Sequence, residues 1–308
     1  MVKAKQHART LTPWFPYRDA GSIDTLLAHA DVLGGISIFG NTPSPEFFAC
    51  CREKGIDTLL LVGGKAESFD TPEHARATLD NYLKACTEDG YGGIDLDFEH
   101  VTPEYTEAYT VFLRDVAKEL HAIGKRLSIC VGCYPHSLHG RPSRVHFFEP
   151  EVIGECCDEV RVMCYDLYYA PHCLLGPTSS FPWARDGMRF WLQYVPKEKL
   201  IMGLPAYGND YDMRPGAGFG RQVNFEHPSE TVMGHAIESF WLHYERLNVY
   251  RYLNHERHPH ILYASDGKSI QQHLTTVEDL DLAGFSFWHY DTITPSMWQA
   301  AYYCLRGK

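Results

Sequence analysis

The chain of 308 residues is predicted to fold as an α/β protein, a (β/α)₈ TIM barrel with a small insertion after the seventh strand. Short apolar runs of strand character alternate along it with amphipathic runs of helical period. No linker, low-complexity tract or charge block divides the sequence. About 300 residues fit one barrel better than two smaller domains. We therefore expect one catalytic domain over residues 1–308.

Eight predicted strands are spaced so that most neighbours leave room for a helix between them. They cover residues 8–11, 35–39, 58–62, 93–98, 126–133, 159–164, 200–205 and 283–288. Predicted helices cover residues 75–88, 103–123, 183–194 and 269–280, and Pro72, Pro103 and Pro182 stand where proline opens a helix. The stretch 207–260 exceeds one crossover, so we expect it to carry the insertion on the top face.

The fourth predicted strand carries three carboxylates on one face. Because successive side chains of a strand point to opposite faces, Asp95, Asp97 and Glu99 lie together, with neighbours about 7 Å apart. At an effective dielectric constant of about 20, each ionised neighbouring pair repels by roughly 2.4 kcal/mol. At least one of the three carboxyls should therefore hold its proton near neutral pH, as a general acid must. The alternative, a solvated edge strand, is disfavoured by the apolar residues that alternate with the acids.

The barrel prediction gives this row a place in the fold. Active sites of such barrels lie at the carboxyl ends of the strands, and Glu99 is expected to end the fourth. The ends of the sixth, seventh and eighth strands are also polar and aromatic, at residues 163–166, 207–210 and 288–291. We expect these segments to supply the partners of the acids.

Residues 93–99, Gly-Ile-Asp-Leu-Asp-Phe-Glu, resemble the DGxDxDxE signature of glycoside hydrolase family 18, the chitinase-like retaining enzymes. Residues 61–64, Leu-Val-Gly-Gly, look like the family's third-strand SxGG, and residues 163–166, Met-Cys-Tyr-Asp, look like its sixth-strand MTYD. Residues 195–208 and Phe98, where many chitinases carry Trp, are similar to the branch of spore-cortex and peptidoglycan N-acetylglucosaminidases. That branch's cell-wall-binding LysM repeats are not seen in the sequence.

Two residues depart from the family pattern. Gly92 replaces the first Asp of the signature, and Leu61 replaces the Ser of SxGG. The resemblance implies that both support the charge relay behind the central acid, so their loss should slow catalysis or narrow its pH range. Glu99 and Asp97 are intact, and we expect an active enzyme.

The resemblance also implies the catalytic roles. Family 18 is an exception among retaining glycosidases, because the 2-acetamido group of the sugar replaces the enzyme nucleophile. Glu99 would act as general acid and then as general base, and Asp97 would accept the acetamido N–H and stabilise its developing charge. Asp95 would lie behind Asp97 and control the protonation of the row.

Further residues are expected to bind substrate, again by resemblance. Tyr165 and Asp166 would hold the acetamido group, Trp288 would form an apolar floor under the sugar, and Met163 and Tyr207 would line the same site. Other roles stay open from the residues alone: a core tyrosine for Tyr165, a helix N-cap for Asp166, barrel packing for Trp288 and a turn for Tyr207.

Composition limits the partners. The net charge is −11, and the sequence contains no basic block, so a nucleic acid is not expected as a partner. No apolar run is long enough to span a membrane, and the first residues lack the apolar core of a signal peptide. Together with the ten cysteines, some adjacent and several in apolar strands, this favours a reduced protein of the cytoplasm or the spore. The expected partner is an oligo- or polysaccharide that contains N-acetylglucosamine.

Two other classes of function compete with hydrolysis. One is a non-hydrolytic, lectin-like barrel, although such relatives usually lose the catalytic Glu that is present here. The other treats the acid row as a site for a hard metal ion. A further metal site at His136, His139 and His146 is disfavoured by their spacing. We therefore expect neither a metal nor a cofactor.

Overall fold

The computed structural model describes residues 9–133, 147–172, 175–224 and 236–306, without the side chains of residues 236 and 237. His136, His139 and His146 lie outside the described residues. Parallel strands follow one another around one sheet in chain order. The barrel strands are Thr10–Leu11 with Trp14–Tyr17, Gly35–Gly40, Asp57–Gly63, Gly93–Asp97, Arg126–Gly132, Glu159–Met163, Leu200–Pro205 and Gly284–Trp288.

The first strand closes the sheet into a barrel. It is made in two pieces, since Pro13 lacks the N–H that an uninterrupted strand would donate. Thr10 pairs with Gly284 of the eighth strand, and Trp14 pairs with Ser37 of the second. The predicted barrel and its eight strand positions are confirmed, but the predicted first strand at 8–11 missed the second piece.

Helices connect the strands on the outside. Among the described residues, the α-helices are Ser22–Leu27, Pro45–Lys54, Pro72–Lys84, Thr106–Ala122, Pro150–Cys156, Phe181–Trp191, Gly267–Asp279 and Pro295–Arg306. Pro72 opens its helix as predicted, behind Thr71, whose side chain accepts a hydrogen bond from the backbone N–H of His74. Pro103 opens a 3₁₀ turn, Pro103–Tyr105, that leads into the next helix. None of the described helices combines the length and apolar character needed to cross a membrane.

The main hydrophobic core lies between the strands and the helices. Apolar side chains that point away from the barrel axis, such as Ile94, Leu96 and Val162, are completely buried in this layer. The strand residues between them point into the barrel. Many of their positions carry polar, charged or aromatic side chains, and these form the candidate site.

The predicted insertion after the seventh strand is confirmed. It is an antiparallel sheet formed by Gly208–Asp212, Arg221–Val223, Ala236–Leu242, Leu247–Leu253 and Pro259–Ala264. Inside it, Asp210 accepts a hydrogen bond from Tyr252 Oη at 2.9 Å and lies 3.0 Å from Arg221 and 3.1 Å from His260. Asp210, close to the predicted site in sequence, therefore stabilises the inserted sheet.

Candidate active site

Asp95 is completely buried inside the barrel. Ser37 of the second strand donates a hydrogen bond of 2.6 Å to Oδ2, and the Cys130 thiol of the fifth strand lies 3.7 Å from both carboxylate oxygens. Arg161 Nε of the sixth strand lies 3.6 Å from Oδ2. Leu61, where the resemblance expects a supporting Ser, pairs with Asp95 in the sheet register. Other strands therefore supply the polar contacts of this carboxylate.

Arg161 was not predicted as a site residue. It is fully buried, its Nε lies 2.7 Å from Glu159 Oε1, and its Nη1 donates a 2.7 Å hydrogen bond to the carbonyl of Thr12. Glu159 also contacts Arg126, which pairs with Asp57 nearer the surface. The sequence did contain a signal for Arg161. Glu159 and Arg161 carry opposite charges at alternate positions of an otherwise apolar strand, so both side chains must point into the barrel.

The fold strongly affects the protonation of Asp97. Burial, and then the nearby charges of Glu99 and Asp95, raise the pKa of Asp97 to about 7. Its Oδ1 is buried without a hydrogen-bond partner among the described residues. The fold thus brings the pKa of the middle member of the row close to neutral pH.

Glu99 lies two residues beyond the last residue of the fourth strand, which ends at Asp97. The predicted strand 93–98 was one residue too long, and Glu99 does not end it. The Glu99 side chain is exposed at the carboxyl end of the barrel. A group in that position can reach a bond in a bound substrate, whereas Asp95 cannot.

Aromatic rings lie at the ends of the neighbouring strands. Trp288 stacks on Phe39 with ring centroids 5.3 Å apart and contacts Trp14 edge-on at 5.7 Å. Trp14 in turn contacts Tyr165 edge-on at 6.1 Å. Trp288 and Tyr165, both half-buried, thus share one aromatic group. Sequence analysis missed Trp14 and Phe39, although both stand in the second halves of their strands.

Asp166 is held by side chains from three segments. Its Oδ1 accepts hydrogen bonds from Tyr207 Oη at 2.6 Å, from Gln222 Nε2 at 2.8 Å and from Thr178 Oγ1 at 3.2 Å. Its backbone is in the left-handed region, with φ of 57°, and a loop follows it. The N-cap alternative for Asp166 is therefore wrong.

Tyr207 and Met163 lie beside these groups. The Tyr207 ring packs at 6.3 Å against Tyr165, so it joins the aromatic group as well as Asp166. Met163 ends the sixth strand and is half-buried. By its alternation with Arg161, Met163 also points into the barrel. The residues predicted from the ends of the sixth, seventh and eighth strands are thus linked by ring contacts and hydrogen bonds.

No three His, Cys, Asp or Glu side chains within the described ranges converge in an arrangement that could hold a metal ion. Asp95 and Asp97 lie along the strand and Glu99 follows beyond its end, and the three carboxylates form no such arrangement. The arrangement can instead present a proton donor, a buried carboxylate and an apolar floor to one ligand.

The family model described as "Glycosyl hydrolases family 18" matches residues 20–292 of the chain. The chain is similar to the "Uncharacterized glycosylase YvbX" of Bacillus subtilis, with 25% identity over 94% of the chain and 86% of that protein. It is 26% identical to the "Cortical fragment-lytic enzyme" of the same organism over 72% of the chain, and the match spans 52% of that enzyme's length.

Solved structures show the same fold. The chitinase of Chromobacterium violaceum superposes with a TM-score of 0.85, covering 97% of this chain and 99% of that one. Sequence identity in this superposition is 19%, so the likeness concerns the fold alone.

Proposed function

The chain belongs to the glycosyl hydrolases of family 18 and is a glycosidase, and on that premise we propose that it cleaves β-linked N-acetylglucosamine glycans with retention by substrate-assisted catalysis. The observation that carries the proposal is the buried, unpaired Oδ1 of Asp97 beside the exposed carboxyl of Glu99. A buried carboxylate oxygen without a partner is costly unless a ligand supplies the missing donor. The N–H of a 2-acetamido group is such a donor.

The first step breaks the glycosidic bond. The acetamido oxygen attacks C1, the bond from C1 to the leaving oxygen breaks, and Glu99 gives its proton to that oxygen. The acetamido group becomes a cationic oxazolinium, whose N–H is accepted by ionised Asp97. Water then attacks C1 from the opposite side while Glu99 takes its proton, which reopens the ring and leaves the configuration at C1 unchanged.

This sequence requires a proton on Glu99 and a negative charge on Asp97 at the moment of cleavage. Burial favours the protonated form of resting Asp97, whose pKa is about 7. A substrate N–H at Oδ1 favours the ionised form instead. Substrate binding would therefore move the shared proton from Asp97 towards Glu99, where the leaving oxygen needs it.

The other residues would hold the sugar. Trp288, stabilised by Phe39, offers a flat apolar face to the C–H groups of the ring. Tyr165 and the pair of Tyr207 with Asp166 would orient the acetamido carbonyl. Met163 would line the same side of the site.

The polymer is proposed from the relatives. Similarity to a cortical fragment-lytic enzyme favours cortex or peptidoglycan fragments, and therefore a spore-associated role, with chitin oligomers as the other candidate substrate. Residues 1–308 would act as one catalytic domain.

The test compares matched oligosaccharides. Oligomers of N-acetylglucosamine and fragments of cortex peptidoglycan should be cut with retention at C1, and a thiazoline analogue of the oxazolinium ion should inhibit. De-N-acetylated oligomers and cello-oligomers of equal length should not be cut. Comparable rates on cello-oligomers, or inversion, would contradict the mechanism. Binding of N-acetylglucosamine oligomers without any product would instead indicate a lectin-like barrel.

A further inference from the structure

We propose that Arg161 is a positioning residue of the acid row, whose buried positive charge pairs with the Asp95 carboxylate and so leaves proton exchange in the row to Asp97 and Glu99. The inference rests on the proposed function for its kinetic consequence. Its electrostatic part concerns the free protein and can be tested without substrate.

The groups around Asp95 are mostly acidic, and Arg161 is the cation among them. The titratable groups that interact with the row from the surrounding elements are Tyr109, Cys130, Cys157, Arg161 and Tyr165, and Glu159 pairs with Arg161. Arg161 brings the positive charge into this otherwise acidic set. Its Nε lies 3.6 Å from Asp95 Oδ2, too long for a hydrogen bond but close for two charges with little water between them.

Arg161 is held so that its charge cannot move away. Glu159 binds Nε at 2.7 Å, the Thr12 carbonyl accepts from Nη1 at 2.7 Å, and the guanidinium lies 5.5 Å from the centroid of the Trp14 ring. Burial disfavours its charged form, but the carboxylates of Glu159 and Asp95 outweigh this effect, so the pKa of Arg161 is raised. It therefore stays charged throughout the working pH range.

The third and fourth strands offer Asp95 no such support. Leu61 is its register partner in the third strand and has no polar atom in its side chain. At Gly92, an added Cβ would lie 3.0 Å from both Asp57 Oδ1 and the carbonyl oxygen of Thr58, so a larger residue there requires a shift. The charge that holds Asp95 thus comes from across the barrel.

The electrostatic consequence has a definite sign. A cation beside the row stabilises its anionic forms, and the nearest carboxylate, Asp95, gains most. Without that cation, the pKa of every carboxyl in the row rises, and Asp95 competes for the proton that Glu99 must donate. The two limbs of the pH–rate profile should then move to higher pH and kcat should fall.

The experiment compares Arg161→Met with Arg161→Lys in the full chain. Arg161→Met should lower kcat by about 10- to 100-fold with little change in KM, and should move both limbs by about one pH unit towards alkaline pH. Arg161→Lys keeps the charge and should leave the limbs near their original positions. Arg126→Met, which removes a partner of Glu159 that does not contact Asp95, is the matched control and should not move them.

Two additions keep the test decisive. Because Arg161→Met leaves Glu159 without its nearest cation, the double variant Arg161→Met/Glu159→Gln is measured as well and should shift the limbs in the same direction. Titration of ¹³C-labelled Asp carboxyls by NMR follows the row in the free protein. If the wild type cleaves no N-acetylglucosamine glycan, the proposed function fails while this titration still tests the coupling. Unmoved Asp titrations in folded Arg161→Met, or an equal shift in Arg161→Lys, would overturn the inference.

Discussion

The two faces of the barrel strands differ in what they contribute. On the fourth strand, Ile94 and Leu96 point outward and are fully buried against helices, whereas Asp95 and Asp97 point into the barrel. The same backbone thus carries an apolar face and an acidic face one residue apart. An apolar face gains roughly 25 cal/mol for each Å² removed from water, while buried charges cost free energy unless they are paired.

The sixth strand repeats the pattern with both signs of charge. Val160 and Val162 pack outward, and Glu159 and Arg161 pair inside the barrel. The difference teaches that stability and chemistry are assigned to opposite faces of each strand. Substitutions on the inner face should therefore affect activity first, and those on the outer face should affect stability first.

The largest expected effect is that of Glu99→Gln, at a residue that follows the inner face just beyond the end of the fourth strand. The amide keeps the size of the side chain but cannot donate the required proton, so turnover should fall by about 10²- to 10⁴-fold or more. Rates on N-acetylglucosamine oligomers measure this, with thermal unfolding as the check on folding. Glu107→Gln, exposed on the following helix, is the control. A near wild-type rate for Glu99→Gln would remove Glu99 from the mechanism.

The outer face is tested by Leu127→Ala on the fifth strand. Leu127 is fully buried in the layer between barrel and helices, so its truncation should lower the free energy of unfolding by about 2 to 5 kcal/mol. Urea denaturation measures the loss. The kcat of the folded fraction should stay within about twofold of the wild type. A large fall in kcat without loss of stability would break the division between the faces.

Asp97→Asn should change stability and activity in opposite directions at one residue of the inner face. The pKa of Asp97 is raised from 3.8 to about 7, so between these pH values the folded protein holds a proton that the unfolded chain has released. Stability then falls as pH rises from about 4 to about 7 and levels off above, and the neutral amide avoids this cost.

We therefore expect Asp97→Asn to be more stable than the wild type by about 2 to 4 kcal/mol at pH 8, with a gain that vanishes near pH 4. Its turnover should nevertheless be strongly reduced. Denaturation series at pH 4, 6 and 8 measure the difference, with the exposed Asp115→Asn as control. A gain independent of pH would show that burial of this carboxyl is not its cause.

The smallest expected effect lies where the inserted sheet meets the inner face. Gln222 donates a 2.8 Å hydrogen bond to Asp166, and its loss in Gln222→Ala should raise KM by about 2- to 10-fold, since one such bond contributes roughly 0.5–1.5 kcal/mol. The melting temperature should not change. Gln271→Ala, exposed on an outer helix, should leave KM unaltered. An equal change of KM in both variants would show that Gln222 has no specific role in the site.

The sequence by itself determined the strands and the two faces. Successive side chains of a strand alternate between its two faces, so the outward and inward side chains of the fourth strand could be predicted directly from residues 93–99. The insertion was also legible, because residues 207–260 exceed the length of a crossover. The strand ends identified the segments that carry Tyr165, Asp166, Tyr207 and Trp288, because parallel strands end at one rim.

The tertiary structure alone decided which side chains act on the acids. Arg161 reaches the carbonyl of Thr12 across 149 positions of the chain, and Ser37 reaches Asp95 across 58. No local pattern encodes such contacts, because they depend on closure and on the register between strands. The same holds for the proton of Asp97. Repulsion within the row follows from spacing alone, but the pKa of one particular carboxyl is raised chiefly by burial, which only the closed barrel creates.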